Sequence, residues 1–132
     1  MHKLVINSNI NNISEVEKLI DQVCEDLNIK EDIYGNILIA VTEAVNNSIL
    51  HGNASNEELK VTIEVVKKES NTEVVFTVSD EGKGFDFNHL PDPTAPENIE
   101  KPDGRGIFLM KNLSDNVEFF NNGSKVSITF VV

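Results

Sequence analysis

The sequence predicts a two-layer α/β sandwich: a mixed, mostly antiparallel sheet with helices on one face. Three observations carry that prediction. Apolar residues recur at intervals of mostly three and four over Ile33, Ile37, Leu38, Ala40, Val41, Ala44, Val45 and Ile49, the pattern of a helix with one buried face. The period then drops to two over Leu59, Val61, Ile63 and Val65, over Val74, Phe76 and Val78, and over Val126, Ile128, Phe130 and Val132. Strands of that kind bury one face only, so helices should cover it. Short polar turns, Glu69-Ser70-Asn71 and Asn121-Asn122-Gly123, join strand runs into two antiparallel hairpins.

In chain order, His2 to Asn7 is short and β-rich and reads as the first strand. Asn12 or Ser14 is placed to cap the first helix, and Ser14 with Glu17 fits a capping box. That helix extends to about Asn28 with Val16, Leu19, Ile20, Val23, Cys24 and Leu27 on its apolar side. Asp32 or a neighbour caps the second helix, and Gly52-Asn53-Ala54-Ser55-Asn56 ends it. After the first hairpin, residues 79–103 hold all four prolines and form the longest stretch without a periodic pattern. A connection of that length is often functional, and residues 85–103 read as a lid. Arg105 to Leu113 reads as a short helix behind two glycines, followed by the second hairpin.

Composition narrows the possible functions. A chain of 132 residues is read most simply as one domain, residues 1–132, able to build its own core. Lysine and arginine total 11 against 22 acidic residues, a net charge of −11. No basic surface is available to neutralise nucleic-acid phosphates or an anionic membrane, so neither is expected as a partner. The single Cys24 cannot form an internal disulfide and falls on an apolar helix side, as a buried small hydrophobe would. With neither a membrane-length apolar run nor a leader pattern, the expected location is cytoplasmic. His2 and His89 show no zinc-ligand spacing with each other or with Cys24, and His51 reads as a structural residue closing the helix end beside Gly52. The acidic side of the first helix, Glu15, Glu17, Asp21 and Glu25, reads as a solvated face.

Three stretches carry chemistry. Glu43 and Asn47 are four apart and project from one side of the central helix. A carboxylate and a carboxamide on a largely apolar helix need partners if buried, and a hard cation with a phosphate would supply them. The pair also reads as a surface Glu and an Asn closing the helix. Asp80-Glu81-Gly82-Lys83-Gly84 ends a core strand. Its glycines permit a sharp turn and close approach to a ligand, and its aspartate can accept from an exocyclic amine. Taken alone, it also reads as a β-turn. Gly104-Arg105-Gly106 leads into a helix, whose free N–H groups and dipole suit a phosphate.

In this order the three stretches resemble the N, G1 and G2 boxes of the histidine-kinase-like (GHKL) ATPases, over nearly the whole chain. Glu43-Ala44-Val45-Asn46-Asn47-Ser48-Ile49-Leu50-His51-Gly52 is most similar to the anti-sigma factor serine/threonine kinases. The resemblance implies a Bergerat-type ATPase fold with ATP and Mg²⁺ as cofactors. It implies that Asn47 ligates Mg²⁺, that Glu43 is the general base, and that Asp80 binds the adenine amine. Gly82 and Gly84 would shape that pocket, while Gly104 and Gly106 would hinge the lid and offer N–H groups to the phosphates.

The resemblance further implies an ATP-dependent anti-sigma factor. Such a protein binds a sigma factor and phosphorylates a serine or threonine of an anti-anti-sigma (STAS-domain) protein. It also suggests a homodimer. One position departs from the pattern: several anti-sigma kinases carry a basic residue just ahead of the first lid glycine, where this chain has Pro102 and Asp103. Lys101 and Arg105 are the nearby basic residues, and Arg105 is counted with the cofactor-binding set. The departure bears on catalytic rate more than on binding. It keeps open a second reading, a non-catalytic ATP switch that acts by sequestering a partner.

Overall fold

The computed structural model describes residues 2–68, 72–82 and 102–132. Within them the chain forms β1 (His2–Asn7), α1 (Ile13–Asp26), α2 (Glu31–Asn47), β2 (Lys60–Lys68), β3 (Glu73–Asp80), α3 (Pro102–Leu113), β4 (Asn116–Phe120) and β5 (Lys125–Val131). The five strands make one sheet in the order β1-β2-β3-β5-β4. Every pairing is antiparallel, the limiting case of the mostly antiparallel sheet expected.

Both hairpins form as the turn chemistry demands. β2 pairs with β3 from Val61 opposite Asp80 to Lys68 opposite Glu73. β4 pairs with β5 around a 3₁₀ turn at Asn121–Gly123. Asn121 and Gly123 both take positive φ there (52° and 93°), which Asn and Gly tolerate best. The connecting residues 69–71 and residues 85–101 of the stretch read as a lid lie outside the described residues.

Alternation places Val61, Ile63, Val65, Val74, Phe76, Val78, Val126, Ile128 and Phe130 on one face, all buried. Phe76 and Phe130 meet edge-to-face with ring centroids 5.9 Å apart, the favoured aromatic geometry. Val16, Ile20 and Val23 of α1 and Ile37, Val41, Ala44 and Val45 of α2 close over the sheet. Cys24 joins this core, and burial, with the nearby Asp21 carboxylate, pushes its thiol up from the ordinary value. The opposite face of the sheet carries Glu64, Thr77, Ser127 and Glu118 in one cross-strand row.

Helix starts differ from the sequence expectation in three places. The capping box at Ser14 does not form. Asn12 does hold the position before α1, without a side-chain bond, but a 3₁₀ turn, Ile10–Asn12, runs directly into the helix, and Asn9 caps the combined helix by accepting from the Asn11 N–H at 2.9 Å. Ser14 lies inside the helix and donates back to the Asn11 carbonyl at 3.3 Å. Lys30, not Asp32, precedes α2. Glu31 and Asp32 occupy its first turn, where the positive helix end favours acids. α3 starts at Pro102 rather than Arg105, with proline at the first position, whose N–H would be unpaired anyway. Gly104 and Gly106 therefore lie within a helix rather than ahead of one. At its far end α2 passes Asn47 into a π turn, Ser48–Gly52, a bulge frequent at functional sites.

Candidate active site

The site gathers at the C-terminal end of α2, which α3 and the end of β3 approach from two sides. Glu43 and Asn47 project toward α3, each half-buried. Gly106 of α3 lies directly on them. A methyl built on Gly106 would sit 3.0 Å from Asn47 Nδ2 and 3.1 Å from Glu43 Oε2. A side chain there would have to push Glu43 or Asn47 aside by a few tenths of an ångström. Ile107 and Met110, three apart and both buried, hold α3 in that position against the core. Asn46 shares the Glu43 face one turn on, and its Oδ1 is buried with no hydrogen-bond partner among the described residues. An orphaned acceptor beside a carboxylate suits a hydroxyl or water donor.

Ser48, next in sequence to Asn47, faces the other way and meets Asp80. The Asp80 carboxyl is half-buried at the end of β3 and accepts from the Gly82 N–H at 2.8 Å. Burial pushes its pKa up, and the Gly82 N–H and the Ser48 hydroxyl pull it partly back. Two glycines make room for this carboxyl. A methyl on Gly52 would fall 2.3 Å from Asp80 Oδ2, and one on Gly82 would fall 1.8 Å from the Gly52 carbonyl oxygen. Backbone and carboxylate meet in a corner where no side chain fits, a surface able to lie flat against a planar ligand.

Asn53 holds the corner in place. Its side chain is fully buried. It accepts from the Glu81 N–H at 2.9 Å and donates to Ser8 Oγ at 2.7 Å and to the Lys60 carbonyl at 3.0 Å. The strand end that carries Asp80 is thereby tied to β1 and β2. In sequence, Asn53 reads only as a turn former after Gly52, and Ser8 carries no signal at all. Both act through non-local bonds.

Of the sequence-predicted residues, the structure brings Glu43, Asn47 and Gly106 together, and Asp80 and Gly82 together. Ser48, adjacent to Asn47 on the same helix, joins the two groups. Gly104 and Arg105 lie in the first turns of α3. Gly84 falls outside the described residues. Among the described residues no group of three or more His, Cys, Asp or Glu could enclose a metal ion. The donor set at Glu43 and Asn47, a carboxylate and a carboxamide oxygen, fits a hard cation that keeps waters and borrows phosphate oxygens.

Comparison with known proteins agrees with this architecture. Residues 6–130 match the histidine kinase-like ATPase domain family. The chain is 39% identical over 92 residues to the anti-sigma F factor of Bacillus cytotoxicus, covering 67% of this chain and 60% of that protein. The anti-sigma F factor of Bacillus anthracis is equally similar over the same shares. The chain thus spans about 60% of the length of these curated relatives.

Among solved structures, the RsbU and RsbW domains of Rv1364c from Mycobacterium tuberculosis superpose with a TM-score of 0.61. The identity is 15%, over 98% of this chain and 32% of that one. The histidine kinase domain of the blue-light activated histidine kinase from Erythrobacter litoralis EL346 gives 0.55 at 15% identity, over 92% of this chain and 60% of that one. These two likenesses concern the fold. With its sheet covered on one face, its acid–amide helix and its Asp80 corner, the chain belongs to the histidine kinase-like ATPase domain family.

Proposed function

We propose that this protein is an ATP-dependent anti-sigma factor that binds a sigma factor and phosphorylates a serine or threonine of a STAS-domain antagonist. One observation carries the reading: the end of α2 faces the Glu43–Asn47 pair under Gly106 on one side and the Asp80 corner on the other. A nucleotide has the same two ends, a planar base and a charged phosphate chain. The similarity to anti-sigma F factors over 67% of the chain supports the partner class.

In this reading Asp80 accepts a hydrogen bond from the adenine amine, and Gly52 and Gly82 let the ring lie against backbone. Asn47 supplies a neutral oxygen for Mg²⁺, which when bound offsets phosphate charge. Phosphoryl transfer needs such charge neutralisation and in-line placement more than covalent help. Glu43, one turn before Asn47, orients the attacking hydroxyl and takes up its proton as its oxygen bonds the terminal phosphorus and the bond from that phosphorus to the ADP oxygen breaks. The α3 amino end, with Gly104, Arg105 and Gly106, borders the phosphate end, where helix N–H groups favour an anion. Gly84 belongs to the base pocket, and residues 85–103 form the lid.

The same proposal has the chain acting as a single domain in the cytoplasm and as a homodimer. Among the described residues no helix is long and apolar enough to cross a membrane. A second reading, an ATP-responsive switch without phosphate transfer, is favoured by Pro102 and Asp103 at the place of the family's basic residue.

Incubating the protein with terminally labelled ATP, a candidate STAS protein and its sigma factor separates the two. Label on a serine or threonine of the STAS protein supports the kinase. Nucleotide-dependent sigma binding with no label moved supports the switch.

A further inference from the structure

A groove of about 520 Å³ lies away from the Glu43–Asn47 pair, where three segments converge. Ser8, Asn9 and Ile10 come from the exit of β1, Leu50 from the π turn after α2, and Glu57 and Glu58 from the connection into β2. Two of its side chains are large, apolar and exposed: Ile10 at 50% and Leu50 at 42%. Its charged lining is wholly acidic, and among the described residues no lysine or arginine lines it. The nearby Lys60 ammonium is engaged by Asn7 Oδ1.

The walls are held before anything binds. Ser8 is buried, donates from Oγ to the Leu59 carbonyl at 2.7 Å and receives Asn53 Nδ2. Asn9 donates to the Glu57 carboxylate. Ser55 bonds back to the Ile49 carbonyl at 2.7 Å and Asn56 to the Asn53 carbonyl at 3.0 Å. Ala54 and Ser55 both take positive φ (51° and 58°), uncommon for such residues. A surface already ordered loses little entropy on binding.

We propose that this groove docks a segment of a partner protein that carries lysine or arginine beside leucine-like side chains. Ile10 and Leu50 receive the apolar side chains, and Glu57 and Glu58 receive the cations. The groove is not self-complementary: a second copy presenting the same surface would set Glu57 and Glu58 against like charges. Asn53 also ties the Ser8 wall to the Glu81 N–H, next to Asp80. The docked segment therefore rests on the bond network that fixes the Asp80 corner. The docking itself does not depend on nucleotide.

The test titrates the full chain with a labelled peptide of mixed arginine and leucine, and with Glu/Leu and Arg/Ser peptides of the same pattern. The Arg/Leu peptide should bind, with amide shifts concentrated at Ser8 to Ile10 and Ser55 to Glu58. E57K/E58K should weaken binding by about tenfold, as two surface pairs become repulsive. The exposed pair on α1, changed as E17K/E25K, makes the same change in net charge at a distance and should weaken it by less than about threefold because salt screens it. Leu50→Ser should weaken it by about threefold or more, the loss of part of one apolar contact. Equal losses for the two charge reversals, Glu/Leu binding as tight as Arg/Leu, or amide shifts centred elsewhere would overturn the proposal. The shift map uses the unaltered protein, so it decides even if a variant misfolds.

Discussion

Asp80 lowers the stability of the fold at neutral pH. Burial raises its folded-state pKa above the value in the unfolded chain. The folded state therefore holds the proton more tightly between the two values, and stability falls as pH rises through that window. At neutral pH the ionised carboxyl is a cost to the fold. Asp80→Asn removes the charge yet can still accept from the Gly82 N–H, so the nucleotide-free protein should melt at a higher temperature at pH 7. ATP affinity should fall by about ten- to a hundredfold, the effect of a polar mismatch of about 1–3 kcal/mol. Thermal melts and calorimetry check both halves, and unchanged ATP affinity would remove Asp80 from adenine recognition. Glu43 sits with Asn47 against Gly106, whereas Asp80 lies against Gly52 and Gly82. Glu43→Gln should leave ATP affinity nearly unchanged and slow phosphate transfer by about 10²–10⁴-fold, the usual contribution of a general base. Transfer at the wild-type rate would reduce Glu43 to a supporting group.

At the scale of elements, the glycines set how closely α2, α3 and the end of β3 approach, and each has its own expected signature. Gly82→Ala would drive a methyl to 1.8 Å from a backbone carbonyl, which cannot move aside cheaply. It should destabilise the fold by about 1–3 kcal/mol or more, the range for overpacking, read from denaturant unfolding. Gly106→Ala meets side-chain atoms at 3.0 and 3.1 Å instead, which can give by a few tenths of an ångström. Alanine also favours the helix by about 1 kcal/mol. Its stability should therefore change by less than about 1 kcal/mol, while displacement of Glu43 and Asn47 weakens nucleotide binding. A Gly106→Ala variant that loses stability but binds ATP normally would show that α3 packs here for structure alone.

Across the whole molecule, what the sequence discloses follows from the range of each interaction. The period-two runs at Val61–Val65, Val74–Val78 and Val126–Phe130 mark strands and their buried face, because alternation is local. The hairpin partners follow from the short turns between them. The edge position of β1 beside β2 does not follow, since it rests on pairing residues such as Leu4 and Ile63 across the chain. The candidate site divides the same way. Glu43 with Asn47, and Asp80 with Gly82, are legible because each pair is local in the chain. The Ser8–Asn53–Glu81 ties and the seat of Gly106 on Glu43 and Asn47 exist only after folding. The early start of α3 is hidden in the sequence because glycines weaken a helix signal that tertiary packing through Ile107 and Met110 restores.

In the proposed function Asn47 and Asp80 serve two ends of one bound nucleotide. Calorimetric titration of ATP into wild type and Asn47→Ala, each in Mg²⁺ and in EDTA, tests it most directly. Wild type should bind more tightly with Mg²⁺ than in EDTA. Asn47→Ala should lose that Mg²⁺-dependent gain and bind as wild type does in EDTA, because the carboxamide acts through the metal and Asp80 is untouched. Equal weakening of the variant in Mg²⁺ and EDTA would contradict the account and leave Asn47 as a residue that shapes the end of α2.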